Sequence, residues 1–155
     1  MSKCASCPVA RPYVCPTPAP YYTIGGTFAQ FGQWMAEAGL TAGPGVALYY
    51  DDPGTTPANE LRSDAGAFVQ DSFKSSDPRV HIVDVPAGQY AVATHTGHYQ
   101  GLPDVWGQIM KWTPPAGYSF AQAPGLEVYL NDCAVTPADE LRTELHVPLT
   151  RSDAN

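Results

Sequence analysis

The chain has little charge, and basic charge is its scarcest kind. Eight Lys and Arg stand against fifteen Asp and Glu, a net charge of −7. No cluster of Lys and Arg exists to neutralise phosphates, which excludes direct nucleic-acid binding as an expectation. No apolar run is long enough to span a bilayer, and the N-terminus lacks the apolar core of a signal peptide. A soluble cytoplasmic protein without a membrane partner is therefore expected. Gly-rich phosphate loops and H-E-x-x-H are missing, and neither His95 nor His98 has a serine or cysteine at a diagnostic triad spacing. No cofactor and no metal are expected. Only four cysteines occur: Cys4, Cys7, Cys15 and Cys133. Cys4 and Cys7 form a C-x-x-C, but no second pair or nearby histidine completes a zinc site, so they read as part of a reduced tail.

Proline and glycine are plentiful instead, at 16 and 14 residues, and imply many tight turns. The chain also repeats itself. Residues 49–62 (YYDDPGTTPANELR) lie over residues 129–142 (YLNDCAVTPADELR) at a shift of 80, with eight of the fourteen positions identical. At a shift of 78, Tyr21, Phe28, Gln30 and Trp34 match Tyr99, Trp106, Gln108 and Trp112. A period this long, used twice, suits a duplicated supersecondary module rather than a solenoid. Two such copies would meet at a pseudo-twofold seam, a natural place for a ligand.

Each copy reads as strand, helix, strand, strand. Residues 1–8 are expected as a flexible tail, 9–70 as copy one, 71–84 as a linker, 85–150 as copy two and 151–155 as a second tail. In copy one, 9–17 is expected as a proline-marked edge strand and 23–38 as a helix burying Ile24, Phe28, Phe31 and Met35, stopped by Gly39. Strands are expected over 45–51 and 61–70. In copy two the strands are 90–95, 126–131 and 141–149, and the helix runs 102–112, opening near Pro103 and barred from continuing by Pro114 and Pro115. One domain of α+β class follows, a mostly antiparallel twisted sheet with two main helices.

Function is to be sought where the copies differ. Strand alternation sets Glu127, Tyr129 and Asn131 on one face and Leu126, Val128 and Leu130 on the other. The equivalent of Glu127 in copy one is Ala47, so one copy offers a carboxylate where the other has a methyl group. Tyr49 and Tyr129 would flank the space left over. A carboxylate among aromatic rings suits an organic cation; partly desolvated, it also suits general acid or base work. The plain alternative is a glutamate paired with an arginine or turned to solvent. Tyr99 and His95 sit at the turn that opens the second helix. Trp106 is of interest because its mate, Phe28, is smaller, whereas Trp34 and Trp112 read as core. Asp64 and Glu144 are mates expected to serve the sheet, and Cys133 takes the turn position of Pro53.

Several motifs carry a resemblance: V-A-L-Y-Y-D-D-P at 46–53, E-L-R-S-D at 60–64, P-A-G-Q-Y at 86–90, H-T-G-H-Y at 95–99, L-E-V-Y-L-N-D at 126–132 and L-H-V-P-L at 145–149. In this order, over about residues 20–150, they resemble the GyrI-like small-molecule-binding family, which includes gyrase-inhibitory proteins and the effector-binding domains of AraC- and MerR-type multidrug regulators. The resemblance implies a ligand cleft between the repeats and hydrophobic, bulky aromatic, often cationic small molecules bound against a central glutamate, which maps onto Glu127. It supports Tyr49 and Trp106 as aromatic walls. It also implies a possible activity, hydrolysis of cyclopropane-containing DNA-alkylating toxins, with Glu127 and Tyr49 as candidate catalytic residues. The candidate ligand-binding set is Glu127, Tyr49, Trp106, Tyr129, Tyr99, His95 and Ala47. A non-catalytic drug-sequestering or effector-binding role is the alternative, and DNA gyrase as a partner ranks lowest because the carboxylates are dispersed. A domain of this size leaves no room for an attached DNA-binding module, so a complete one-component regulator is not expected.

Overall fold

The computed structural model describes residues 2–40, 43–69 and 74–153. Its strands and main helices, in chain order, are β1 (Lys3–Cys7), β2 (Tyr13–Thr17), α1 (Ile24–Ala38), β3 (Gly45–Tyr49), β4 (Ser63–Ala67), β5 (His81–Ile82), β6 (Gly88–Thr96), α2 (Leu102–Lys111), β7 (Tyr118–Phe120), β8 (Gly125–Tyr129) and β9 (Arg142–Arg151). Every strand pairing described is antiparallel, and with two main helices the class is α+β. Among the described residues no helix is long and apolar enough to cross a membrane. The chain divides into two compact units. One is Val9–Pro86; the other joins the N-terminal eight residues to the chain from Ala87 onward.

In the unit Val9–Pro86 the strand order is β3-β4-β2-β5. Residues alternate along β2 and β4, so Tyr13, Cys15 and Ala67 face α1 and meet Phe31, Trp34 and Met35 in one cluster. Fully burying side chains of that size stabilises by roughly 1.5–3 kcal/mol each. Tyr13 stacks on Trp34 at 5.8 Å. The helix ends where Gly39 adopts φ 68°, and its N–H closes on the Met35 and Ala36 carbonyls. A side chain would be strained there, which makes the glycine a stop signal. Gly66 is required for another reason: a Cβ at that position would lie 1.9 Å from the Tyr13 carbonyl oxygen. On the opposite face of β4, Asp64 accepts the Tyr50 hydroxyl at 2.5 Å and has His81 Nε2 at 3.6 Å.

In the other unit the order is β1-β6-β9-β8, with β7 lying on the far end of β9. Ala91, Ala93, Leu145, Val147 and Leu149 face Leu102 and Ile109 of α2. Pro103 opens the helix with Asp104 in its first turn and Lys111 in its last, both favourable to the helix dipole. The two hairpins close alike. Gly54 N–H and Ala134 N–H each reach the side chain of the aspartate two residues earlier at 2.8 Å. Tyr50 N–H bonds the Arg62 carbonyl as Leu130 N–H bonds that of Arg142. Cys133 occupies the turn position of Pro53 and is exposed.

Three segments depart from expectation. Residues 1–8, expected as a tail, contain β1, which pairs with β6 from Lys3↔Val92 to Cys7↔Gly88. Its K-C-A-S-C run has no apolar alternation to read, and what holds it is the backbone edge of β6. The expected strand 9–17 starts only at Tyr13. Pro8 and Pro12 lack an N–H, and Ala10 contributes an isolated bridge to Val85. That strand is also no simple edge, because Tyr13 and Val14 pair with β5 on its outer side. Gln70 and residues 71–73 of the expected linker lie outside the described residues, as do 154–155 of the expected second tail, while Arg151 ends β9.

Candidate functional site

Two cross-strand rows build the site in the second unit. One runs Ala93↔Leu145↔Glu127 and the other His95↔Thr143↔Tyr129. Ala93 and Leu145 belong to the α2-facing cluster, so Glu127 points the same way, into the packing rather than into water. It is 4% exposed. A carboxylate so buried is tolerated only with partners, since a missing one costs about 1–3 kcal/mol or more. Two are supplied. Trp106 Nε1 donates to Oε1 at 2.7 Å, and the Tyr129 hydroxyl donates to Oε2 at 2.5 Å. Both are charge-assisted bonds, about twice as strong as neutral ones.

The aromatic partners are themselves held. Trp106 projects from α2 and lies over Gly125, where a Cβ would come within 2.9 Å of its ring. The missing side chain at the start of β8 is what lets the indole reach Glu127. Tyr99, in the 3₁₀ turn ahead of α2, meets Tyr129 edge-on with centroids 5.5 Å apart. Burial first, and then Cys133, which is hydrogen-bonded to it, push the Tyr99 hydroxyl up to about 12, with Asp132 and Glu127 adding to the effect. It therefore remains a proton donor at neutral pH.

The structure thus brings together Glu127, Trp106, Tyr129 and Tyr99. His95 shares a row with Tyr129, but its Nε2–H donates to the His98 carbonyl at 2.9 Å. Its ring packs over Gly101, where a Cβ would come within 2.6 Å. It shapes the turn into α2. Ala47 and Tyr49 belong to the other unit, in the rows Cys15↔Ala65↔Ala47 and Thr17↔Ser63↔Tyr49. There Tyr49 meets Tyr21 edge-on at 4.9 Å, and the Tyr21 hydroxyl donates to the Asp51 carbonyl and accepts its N–H. Each unit therefore carries the same tyrosine pair, and one of them places a carboxylate next to it.

Sequence reasoning missed Gly125 and Thr143. The signal for Gly125 was the glycine two residues before Glu127 on one strand face, in line with a tryptophan from the helix. Thr143 is fully buried between His95 and Tyr129, and its hydroxyl has no hydrogen-bond partner among the described residues; nothing in the repeat marked it, because its mate is also a small hydroxyl residue, Ser63. A depression of about 340 Å³ in the first unit, lined in part by Tyr50, Arg62, Asp64 and His81, has its charges engaged: Arg62 by Asp51 and Asp64 by Tyr50. Among the described residues no three His, Cys, Asp or Glu side chains converge on a metal position.

Known proteins are similar to this chain over most of its length. The "Probable transcriptional regulator YgiV" of Escherichia coli K12 is 31% identical over 149 residues, 93% of this chain and 91% of its own length. A "DNA gyrase inhibitor" of Escherichia fergusonii is 33% identical over 132 residues, 82% of this chain and 83% of its own. Among solved structures, the crystal structure of the EcmrR C-terminal domain superposes with a TM-score of 0.79 at 20% identity, covering 98% of each chain. The structure of SAV2435 bound to tetraphenylphosphonium has a TM-score of 0.65 at 17% identity, covering 97% of this chain and 94% of that one. At those identities the solved structures speak for the fold alone. The family model described as the GyrI-like small molecule binding domain matches residues 13–150, and the chain belongs to that family.

Proposed function

We propose that this protein binds bulky aromatic cations and that Glu127 is their counter-charge. The observation that carries this reading is the buried carboxylate held by an indole N–H and a phenol O–H. Hydrogen bonds to both oxygens hold the carboxylate in one orientation while leaving its charge in place. A cation with aromatic arms gains Coulomb attraction in a poorly hydrated setting and ring contacts with Trp106, Tyr129 and Tyr99. That SAV2435 was solved with tetraphenylphosphonium makes that ion a suitable probe. It should bind at least about tenfold more tightly than neutral triphenylphosphine oxide, a gap of about 1.4 kcal/mol. Equal affinities in calorimetry would refute the charge role.

A second reading adds chemistry at the same carboxylate, and the proton-holding Tyr99 hydroxyl favours it. Glu127 would orient or deprotonate a water that attacks the electrophilic carbon of a strained cyclopropane. The ring C–C bond breaks, its electron pair passes into a carbonyl conjugated with the ring, and a tyrosine hydroxyl donates to the oxyanion that develops on that carbonyl. In this reading the protein detoxifies a reactive subset of what it binds, in the cytoplasm. A gyrase partner, which the names of several relatives suggest, finds least support in the dispersed carboxylates.

A further inference from the structure

Cys7 meets a histidine 139 residues away in the chain. With β1 paired to β6 and β6 to β9, Cys7 Sγ lies 3.8 Å from His146 Nδ1. The other ring nitrogen, Nε2, lies 3.0 Å from Glu144 Oε2. Glu144 and His146 alternate with Leu145, so this group occupies the face of the sheet opposite α2 and Glu127. The tautomer follows from the partners. A carboxylate only accepts, so Nε2 carries the hydrogen and Nδ1 is left as an acceptor directed at the thiol. Tyr90 packs edge-on to the imidazole at 6.3 Å, and His146 is largely shielded, with 17% of its side chain exposed. Cys7 is half-buried, and across the ladder its partner is Gly88, where a Cβ would touch nothing within 4 Å. Among the described residues, the rung that carries Cys7 is thus left uncrowded on the Gly88 side.

We propose that Cys7, His146 and Glu144 form a nucleophilic thiol site that adds to soft, uncharged carbon electrophiles of the α,β-unsaturated carbonyl class. Nucleophile, base and orienting carboxylate stand in the sequence that thiol activation requires. In the step, the Cys7 S–H proton passes to His146 Nδ1 as sulfur bonds the β-carbon. The C=C π bond breaks, and the proton is returned to the α-carbon, so no leaving group or further reactant is needed. Glu144 is a positioning residue that holds the imidazole through Nε2. The Glu144 carboxylate beside the imidazole disfavours anionic electrophiles. Burial, and then Glu144, push the Cys7 thiol up. It is therefore stored as S–H and reacts only through its base.

The exposed Cys133 of the same chain is an internal reference. N-ethylmaleimide is the probe, with adducts at each cysteine timed by peptide mass spectrometry at pH 7. Cys7 should label faster than Cys133 despite its lower exposure. His146→Gln should slow Cys7 by at least about tenfold, in line with the size of general-base effects, and leave Cys133 unchanged. Glu144→Gln should slow Cys7 by less. Melting temperatures show whether each variant is folded; were His146→Gln to unfold, the wild-type ratio of the two cysteines and the Glu144→Gln rate would still decide. Cys7 labelling more slowly than Cys133 in the wild type, or at a rate indifferent to both substitutions, would overturn the proposal. Binding at Glu127 plays no part in either readout, so the two proposals fail separately.

Discussion

At the scale of single residues, the cost of a buried polar atom depends on who answers it. Glu127 and Thr143 lie on neighbouring cross-strand rows of one sheet face. Glu127 accepts from Trp106 and Tyr129, whereas the Thr143 hydroxyl has no partner among the described residues. Replacing Thr143 by Val keeps the shape and removes the unanswered hydroxyl. The variant should gain about 1 kcal/mol, a rise of roughly 2–4 °C in melting temperature for a chain of this size. A lower melting temperature would show that the hydroxyl is satisfied in solution. Asp77 is the opposite case. Hydrogen bonds from Arg79 hold its carboxyl at about 2, below the usual range. A folded-state value below the unfolded one adds stability above about pH 4, and that stability is lost as pH falls toward 2. The melting-temperature gap between wild type and Asp77→Asn should therefore narrow between about pH 4.5 and about pH 2. A gap as wide at the lower pH as at the higher would contradict the assignment.

At the scale of elements, the decisive positions are those where two elements approach closely. Gly66 lets β4 lie against β2, and its mate in the second unit is His146, where β9 has room for an imidazole on the face that reaches Cys7. Gly125 lets Trp106 of α2 lie over β8. A methyl group there would press on a rigid ring rather than on the end of a flexible side chain. Gly125→Ala should thus shift Trp106 off Glu127 and weaken binding of tetraphenylphosphonium while the fold survives. Altered tryptophan emission together with a several-fold loss of affinity is the expected pair. Unchanged emission and affinity would mean that the indole's place is set elsewhere.

At the scale of the whole molecule, legibility followed how local the signal was. Helix α1 was readable almost to the residue, because its apolar period and Gly39 sit in one window. That Glu127 and Tyr129 share one face followed from strand alternation, and the unequal mates Trp106 and Phe28 singled out the tryptophan. That the neighbours would donate hydrogen bonds did not, since a tryptophan in a helix pattern reads only as bulk. Strand β1 was not readable, because its residues are small and polar and its pairing comes from a strand more than eighty residues on. With it the Cys7–His146 contact was hidden as well. The C-x-x-C motif pointed away from it, since Cys4 packs on the α2 side while Cys7 faces the other way.

One carboxylate supplies the proposed counter-charge, and Glu127→Gln isolates its part in binding. The amide keeps the size and can still accept from Trp106, while the Tyr129 hydroxyl can turn to accept from the new NH₂ group. Only the charge is removed. Tetraphenylphosphonium titrated calorimetrically into wild type and variant should bind the variant at least about tenfold more weakly, a loss of about 1.4 kcal/mol or more, with no fall in melting temperature. Equal affinity in a folded Glu127→Gln variant would rule out the counter-charge role.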